Sequence, residues 1–330
     1  MEKEQKLKER LKELREQINN IDDELLNLLN RRGKTVIEIG EVKQELGLDV
    51  YQPDREEKVI EKVSKQSDVY PKESIEGIWR EIMSASKVIQ GSIDKIGFLG
   101  PKGTFTHQAA LEFFPKAGSE FMPSKSIIEI FENVEKGVLD YVVIPIENSL
   151  QGTVRETLDM LIEKRLMIYG EIELRIIQNL ISVPNGNMKD IQNIYSHPQA
   201  FGQARSWLKA NLPAAEVINT NSTAEAIKIV KEKDAKENAA IGTQFACDVY
   251  GLKVLSSHIE DNPSNFTRFL VISTKENKVK NGKIKTSIVY VTKHKPGALY
   301  RVLELFANAG INLLKIESRP RRKGRWEYIF

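Results

Sequence analysis

KIGFLGPKGTFTHQAALEFF, residues 95–114, decides the architecture. A short β-rich run meets a turn punctuated by Gly100, Pro101 and Gly103, and Thr104 or Thr106 then opens a helix. The same alternation recurs downstream. The apolar runs YVVIPI, NLISV, AAIG and RFLVI are separated by amphipathic helical stretches at 124–136, 198–210 and 222–233. Strand and helix in turn predict an α/β domain with mostly parallel sheets over 93–274, long enough for two lobes with a cleft between them. Glycines after a strand at a helix start would also offer backbone N–H groups to an anion.

Upstream the texture differs. Residues 1–92 read as helix only: Leu7, Leu11, Leu14, Ile18, Ile21, Leu25 and Leu28 follow a 4,3,4,3,4,3 spacing, a heptad stripe. No proline occurs before Pro53, so one helix is expected from about residue 5 to 46, roughly 60 Å long at 1.5 Å per residue. A stripe that long must be buried on something, which predicts a dimer. Pro53 and Pro71 fall where two further helices would begin.

Downstream, 275–283 (KENKVKNGK) is polar and aperiodic, and reads as a linker. The remainder, to residue 330, gives a strand (TSIVYVT), a helix opened by Pro296, a strand (INLLKIES) and the start of another (WEYIF). A β-α-β-β start cannot close a ferredoxin-like sheet, so the chain is expected to be incomplete at its C-terminus.

Composition narrows the function. The 330 residues are 41% apolar and 29% charged, with one cysteine and four histidines, which excludes a disulfide framework and leaves little for a metal site. The absence of a long apolar run or a signal-peptide core predicts a cytoplasmic protein without membrane contact. Residues 281–330 carry 11 basic and 3 acidic residues. The aromatics there alternate with apolar residues and do not interleave with the basic ones, which argues against nucleic acid.

Chemistry-bearing residues fall in two sets. On the helical segment, Arg15 lies beside the stripe, and Arg32 and Lys43, 11 residues apart, share a face. Cations converging in an apolar bundle need an anion to offset their desolvation. Solvated arginines on a surface helix are the plainer alternative. In the central domain, PIENSLQGTV (145–154), YSHPQAFGQAR (195–205), NSTAEA (221–226) and SNFTRFLVI (264–272) are polar loops flanking apolar strands. Such loops are where α/β folds hold ligands. No G-x-S-x-G elbow or Ser-His-Asp order occurs, so a hydrolase is not expected.

LREQINNIDDELLNLLNRR (14–32), EVK (41–43), PDREE (53–57) and SASKVIQ (84–90) together resemble the all-helical chorismate mutases. That resemblance implies an intertwined homodimer or higher homo-oligomer. Arg15 (from the partner chain), Arg32 and Arg55 would hold the two carboxylates of chorismate, and Lys43 and Gln90 would bond its ether oxygen. Glu56 and Ser86 would contact the substrate's hydroxyl and surroundings. Gln52 departs from the aspartate common in relatives. The central blocks resemble prephenate dehydratase. This implies catalysis by Thr267 and Glu147, with Asn148, Ser196, Gln203, Arg268 and Phe269 contacting prephenate. Helix capping is the plainer reading of Ser196 and Gln203, and core packing that of Phe269. The tail resembles an ACT domain, which implies phenylalanine as allosteric effector, held by Gly297, Ala298, Leu299, Glu317, Ser318, Arg319 and Pro320. A partial tail is expected to bind it weakly or not at all. The whole is identified as a member of the bifunctional chorismate mutase–prephenate dehydratase family, needing no cofactor and no metal. A non-catalytic amino-acid-binding regulator is the rival reading.

Overall fold

The computed structural model describes residues 2–47, 53–277, 284–293, 295–320 and 328–330, which form two units, 1–279 and 280–330. Gln52, His294 and Trp326 lie outside the described residues.

The first unit opens with α1 (Glu2–Glu45), α2 (Pro53–Gln66) and α3 (Lys72–Ile89). Pro53 is the first residue of α2 and Pro71 immediately precedes α3, as their fixed φ and missing N–H favour. The C-terminal third of α1 packs on α3, burying Val36. Its N-terminal two thirds leave the stripe open: Leu7 is 63% exposed and Leu28 56%. α3 is also bonded to the loop at 116–118. The Glu81 carboxylate accepts from the N–H groups of Lys116 and Ala117 (3.0 and 3.2 Å), and Ser84 Oγ accepts from Gly118 N–H (2.8 Å). A Cβ at Gly118 would lie 2.5 Å from Ser84 Oγ, so only glycine permits this approach.

The first α/β lobe contains β1 (Asp94–Leu99), α4 (Phe105–Phe113), β2 (Ser119–Ser124), α5 (Ile127–Glu135), β3 (Tyr141–Asn148), β4 (Gly152–Thr153), α6 (Arg155–Glu163) and β5 (Met167–Arg175). The second contains β6 (Asn179–Ser182), β7 (Asn193–Ser196), α7 (Pro198–Gln203), α8 (Arg205–Asn211), β8 (Glu216–Asn219), α9 (Thr223–Lys233), β9 (Asn238–Gly242), α10 (Gln244–Tyr250) and β10 (Lys253–Ser256). The chain then returns to the first lobe as β11 (Phe266–Ser273), giving sheets ordered β2-β1-β3-β11-β5, with β4 on β3, and β10-β6-β9-β7-β8.

The sheets are mixed, not mostly parallel as expected. β1 runs parallel to β2 and β3, but β11 is antiparallel to both β3 and β5. The reason is topological: a strand that returns from another lobe need not follow the right-handed crossover of a β-α-β unit. β3 and β11 form the centre and are covered on both faces, which explains their unbroken apolar runs. Val142, Ile144, Leu270 and Ile272 meet α5 and α6, while Tyr141, Val143, Phe269 and Val271 meet α4. Two crossings join the lobes and bond to each other: Ile176 N–H donates to Asn265 O (2.8 Å) and Ile259 N–H to Gln178 O (2.9 Å).

The GPKGTF turn is used internally, contrary to the anion-site expectation. Thr104 caps α4 by accepting from His107 N–H, and Gly103 N–H donates to His107 Nδ1 (3.1 Å). The His107 ring stacks on Phe98 at 4.3 Å and meets Phe245 of α10 edge-on. Burial, helped by the Lys102 charge, pushes its pKa from 6.5 to about 4. Between those values the unfolded chain takes up a proton that the folded one refuses, so stability falls as pH drops. We expect pH 5 to cost about 2 kcal/mol relative to pH 7 through this residue. Denaturant titrations of parent and His107→Gln at the two pH values check this: the variant should lose the smaller amount.

The second unit contains α11 (Ala298–Asn308), β12 (Arg319–Pro320) and β13 (Tyr328–Ile329). TSIVYVT and INLLKIES do not form the strands expected of them; the former makes only a bridge from Val291 to Ile329. A strand requires a hydrogen-bonded neighbour, and the described residues supply one only around β12, β13 and the Tyr290–Phe330 pair.

Candidate active sites

In the helical bundle the polar residues converge where α1 passes α3. Arg32 donates to Ser86 Oγ, whose hydroxyl donates to Ile82 O (2.7 Å). Partial burial lowers the Arg32 pKa, because a cation is being taken from water. Four residues on from Ser86, Gln90 Nε2 donates to Val36 O (2.7 Å), leaving its second hydrogen for another acceptor. The Gln90 side chain lies against Gly40, where a Cβ would come within 3.1 Å of its Cγ. Lys43, half-buried, is one turn beyond Gly40 on that face. Glu56 pairs with Lys87 (3.2 Å), a partner that spacing alone gave no reason to single out. Arg55 is exposed at the start of α2. Arg15 stands 17 residues before Arg32 on one continuous helix, about 25 Å away. It cannot join Arg32 within one chain.

The second set meets at the end of the β3–β11 ladder. Register places Thr267 opposite Asn148 and Arg268 opposite Glu147. Arg268 Nη2 donates to Glu147 (2.7 Å), with Glu171 3.8 Å from its Nε. Asn148 is the hub. Its Oδ1 accepts from Leu150 and Gln151 N–H (3.0 and 3.2 Å), which fixes the amide's orientation. Its Nδ2 therefore faces Thr267 Oγ1 (2.8 Å), Asn265 Oδ1 (2.8 Å) and Phe266 O (3.1 Å). Thr267 Oγ1 thus accepts, and its hydroxyl proton points elsewhere.

Ser196 and Gln203 belong to the other lobe and have partners there. Ser196 is fully buried and donates to Ile241 O (2.9 Å), while His197, not Ser196, caps α7. Gln203 Oε1 accepts from Gln178 Nε2 (3.0 Å), which ties α7 to the first crossing. Phe269 corrects the expectation of a substrate contact. It is 1% exposed and packs with Phe98, Phe114 and Val143, because its position on β11 faces α4. An open cavity of about 480 Å³ at the ends of β7 and β8 is lined by His197, Asn219, Thr220, Asn221 and Glu225. Sequence reasoning missed Asn265 and Gln178. Asn265 stands inside the SNFTRF block, but nothing in its residue type distinguished it there.

In the tail, Gly297 takes φ +76° ahead of α11. Ala298 and Leu299 line a depression with Lys293, Tyr328 and Phe330. Glu317 pairs with Lys315 (3.4 Å), and Arg319 and Pro320 form β12 against β13. Both expected effector segments therefore border the β13 end.

An all-α bundle with Arg32, Lys43 and Gln90 on neighbouring helix faces, and a two-lobed α/β domain with an amide–hydroxyl cluster at its inter-lobe crossing, define a fused pair of domains with a polar site in each. Family models match accordingly: chorismate mutase type II over 14–91, prephenate dehydratase over 96–277 and the ACT domain over 286–330. A bifunctional chorismate mutase/prephenate dehydratase of Aquifex aeolicus is 43% identical over 98% of this chain and 89% of its own length. The prephenate dehydratase of Staphylococcus aureus Mu50 superposes with a TM-score of 0.62 at 32% identity, covering 72% of this chain and 87% of that one. That of Arthrobacter aurescens, solved with L-Phe, gives 0.61 at 34%, covering 71% and 78%. The chain belongs to the bifunctional chorismate mutase/prephenate dehydratase family.

Proposed function

We propose that the chain converts chorismate to prephenate in its helical domain and prephenate to phenylpyruvate in its two-lobed domain, two steps of phenylalanine synthesis. The geometric observation that carries the second activity is the Asn148–Thr267 bond, which leaves a hydroxyl proton free for a leaving group.

The first reaction is pericyclic and needs no nucleophile or proton donor. Its acceleration comes from holding the reactive conformer and stabilising charge that develops on the ether oxygen as the C–O bond breaks. Arg32, Arg55 and the partner's Arg15 suit the carboxylates, since guanidinium matches them bidentately. Lys43 and the spare Gln90 hydrogen suit the ether oxygen. In the second reaction the bond to the ring carboxylate breaks, CO₂ leaves, and its electron pair enters the ring. The hydroxyl at the opposite carbon departs with its own bonding pair as aromaticity forms. Thr267 hydrogen-bonds that departing oxygen, and Glu147, held by Arg268 on the next rung of the ladder, is the second candidate for moving a proton. Ser196 is sealed within the second lobe and contacts no substrate, while Gln203, bonded to Gln178, holds α7 at the first crossing. Supplying chorismate and following prephenate and phenylpyruvate separately tests the reading; failure of either product to form removes that half of it.

The assembly is a homodimer through α1. Seven half-open apolar side chains at heptad spacing each gain on the order of 1 kcal/mol when covered by a second copy. The 25 Å separation of Arg15 from Arg32 also fits a site shared between chains. Mixing inactive Arg15→Ala with inactive Arg32→Ala protein should then restore mutase activity. After random exchange about a quarter of sites carry both arginines. No recovery after demonstrated exchange would overturn the shared site and remove Arg15 from the mutase pocket. Phenylalanine is the effector of the ACT segment, bound through the Gly297–Leu299 and Glu317–Pro320 segments.

A further inference from the structure

We propose that Asn265 is a positioning residue for the dehydratase reaction, setting through Asn148 the direction in which the Thr267 hydroxyl donates; this rests on the dehydratase reading above. Asn148 Nδ2 has two hydrogens and must place both. One goes to Thr267 Oγ1, and Asn265 Oδ1 takes the other at 2.8 Å, with Phe266 O slightly farther at 3.1 Å. With the Oδ1 side of Asn148 fixed by Leu150 and Gln151, the chain of donors runs one way, from backbone to Asn148 to Thr267. The Thr267 proton is then directed onward, where a departing hydroxyl needs it.

Asn265 holds this orientation at a cost to itself. It is fully buried, and its Nδ2 has no hydrogen-bond partner among the described residues. Turning the amide over would set Nδ2 against the Nδ2 of Asn148, donor facing donor, so the unsatisfied state is imposed by the neighbour. Buried donors are almost always paired, and one left unpaired beside a reacting side chain points to a role other than stability. Asn265 is also where the returning chain bonds the outgoing one, its carbonyl accepting from Ile176 N–H, so its backbone is fixed at the crossing.

The test uses the full chain with prephenate supplied directly. Asn265→Leu removes the acceptor and also the unpaired donor. Its kcat should fall about tenfold or more, with KM changed by less than about threefold and the melting temperature no lower than the parent's. In a Thr267→Val background the same change should cost less than about twofold further, because its effect runs through a hydroxyl already absent. Asn265→Asp keeps the acceptor and should keep kcat within about threefold, while its charge raises KM for the dianionic substrate. Parental kcat in Asn265→Leu, a melting temperature that falls together with activity, or a full multiplicative loss in the double variant would each overturn the proposal. A parent protein active on prephenate but indifferent to Asn265 isolates that failure; a parent inert toward prephenate removes the dehydratase reading and the proposal with it.

Discussion

Thr267→Val should slow prephenate turnover by about a hundredfold or more, roughly 3 kcal/mol of barrier, while changing KM little. Valine keeps the β-branched shape on β11 and removes only the hydroxyl. Asn148 retains Asn265 Oδ1 and Phe266 O as acceptors, so the ladder end should stay intact. Steady-state kinetics with prephenate measure the loss, and chorismate consumption by the same sample is the internal control. That control should be unchanged, because the helical site draws on none of these side chains. A variant making phenylpyruvate at the parental rate would remove Thr267 as the donor and turn attention to Glu147.

Lys43→Ala should be at least as severe for the other activity. Taking an ammonium from beside an oxygen that gains charge in the transition state costs ~3 kcal/mol or more, over a hundredfold in rate. Lys43 lies on an α1 face one turn past the Gly40–Gln90 contact, so alanine there leaves the helix and that packing in place. Chorismate disappearance reads the effect, and added prephenate should still be dehydrated at the parental rate. Unchanged chorismate turnover would mean that the ether oxygen is bonded elsewhere.

Much of the fold was legible because the patterns were periodic and the punctuation specific. The heptad stripe and the absence of proline gave α1 its length, and Pro53 and Pro71 marked the next two starts. The apolar runs gave β1, β3, β6, β9 and β11. Strand direction was not legible, since KIGFL and RFLVI read alike whether a strand runs with its neighbour or returns from another lobe. The tail strands failed for a related reason. Apolar alternation in TSIVYVT and INLLKIES records that a segment can lie in a sheet, and pairing then depends on a neighbour.

For the sites, motif blocks brought Asn148, Thr267, Glu147 and Arg268 into view. Side-chain direction came only with the structure. Phe269 and Thr267 are two residues apart in one motif, yet Phe269 is sealed in the core against α4 while Thr267 closes the ladder beside Asn148. By itself the sequence determined which residue types each segment offers, because periodicity and turn chemistry act over a few neighbouring residues. The tertiary structure decided which amides and hydroxyls meet, which way Asn148 donates, and that the Asn265 donor finds no partner among the described residues. Those depend on atoms more than a hundred positions apart in the chain, brought within 3 Å by a strand that leaves its lobe and returns.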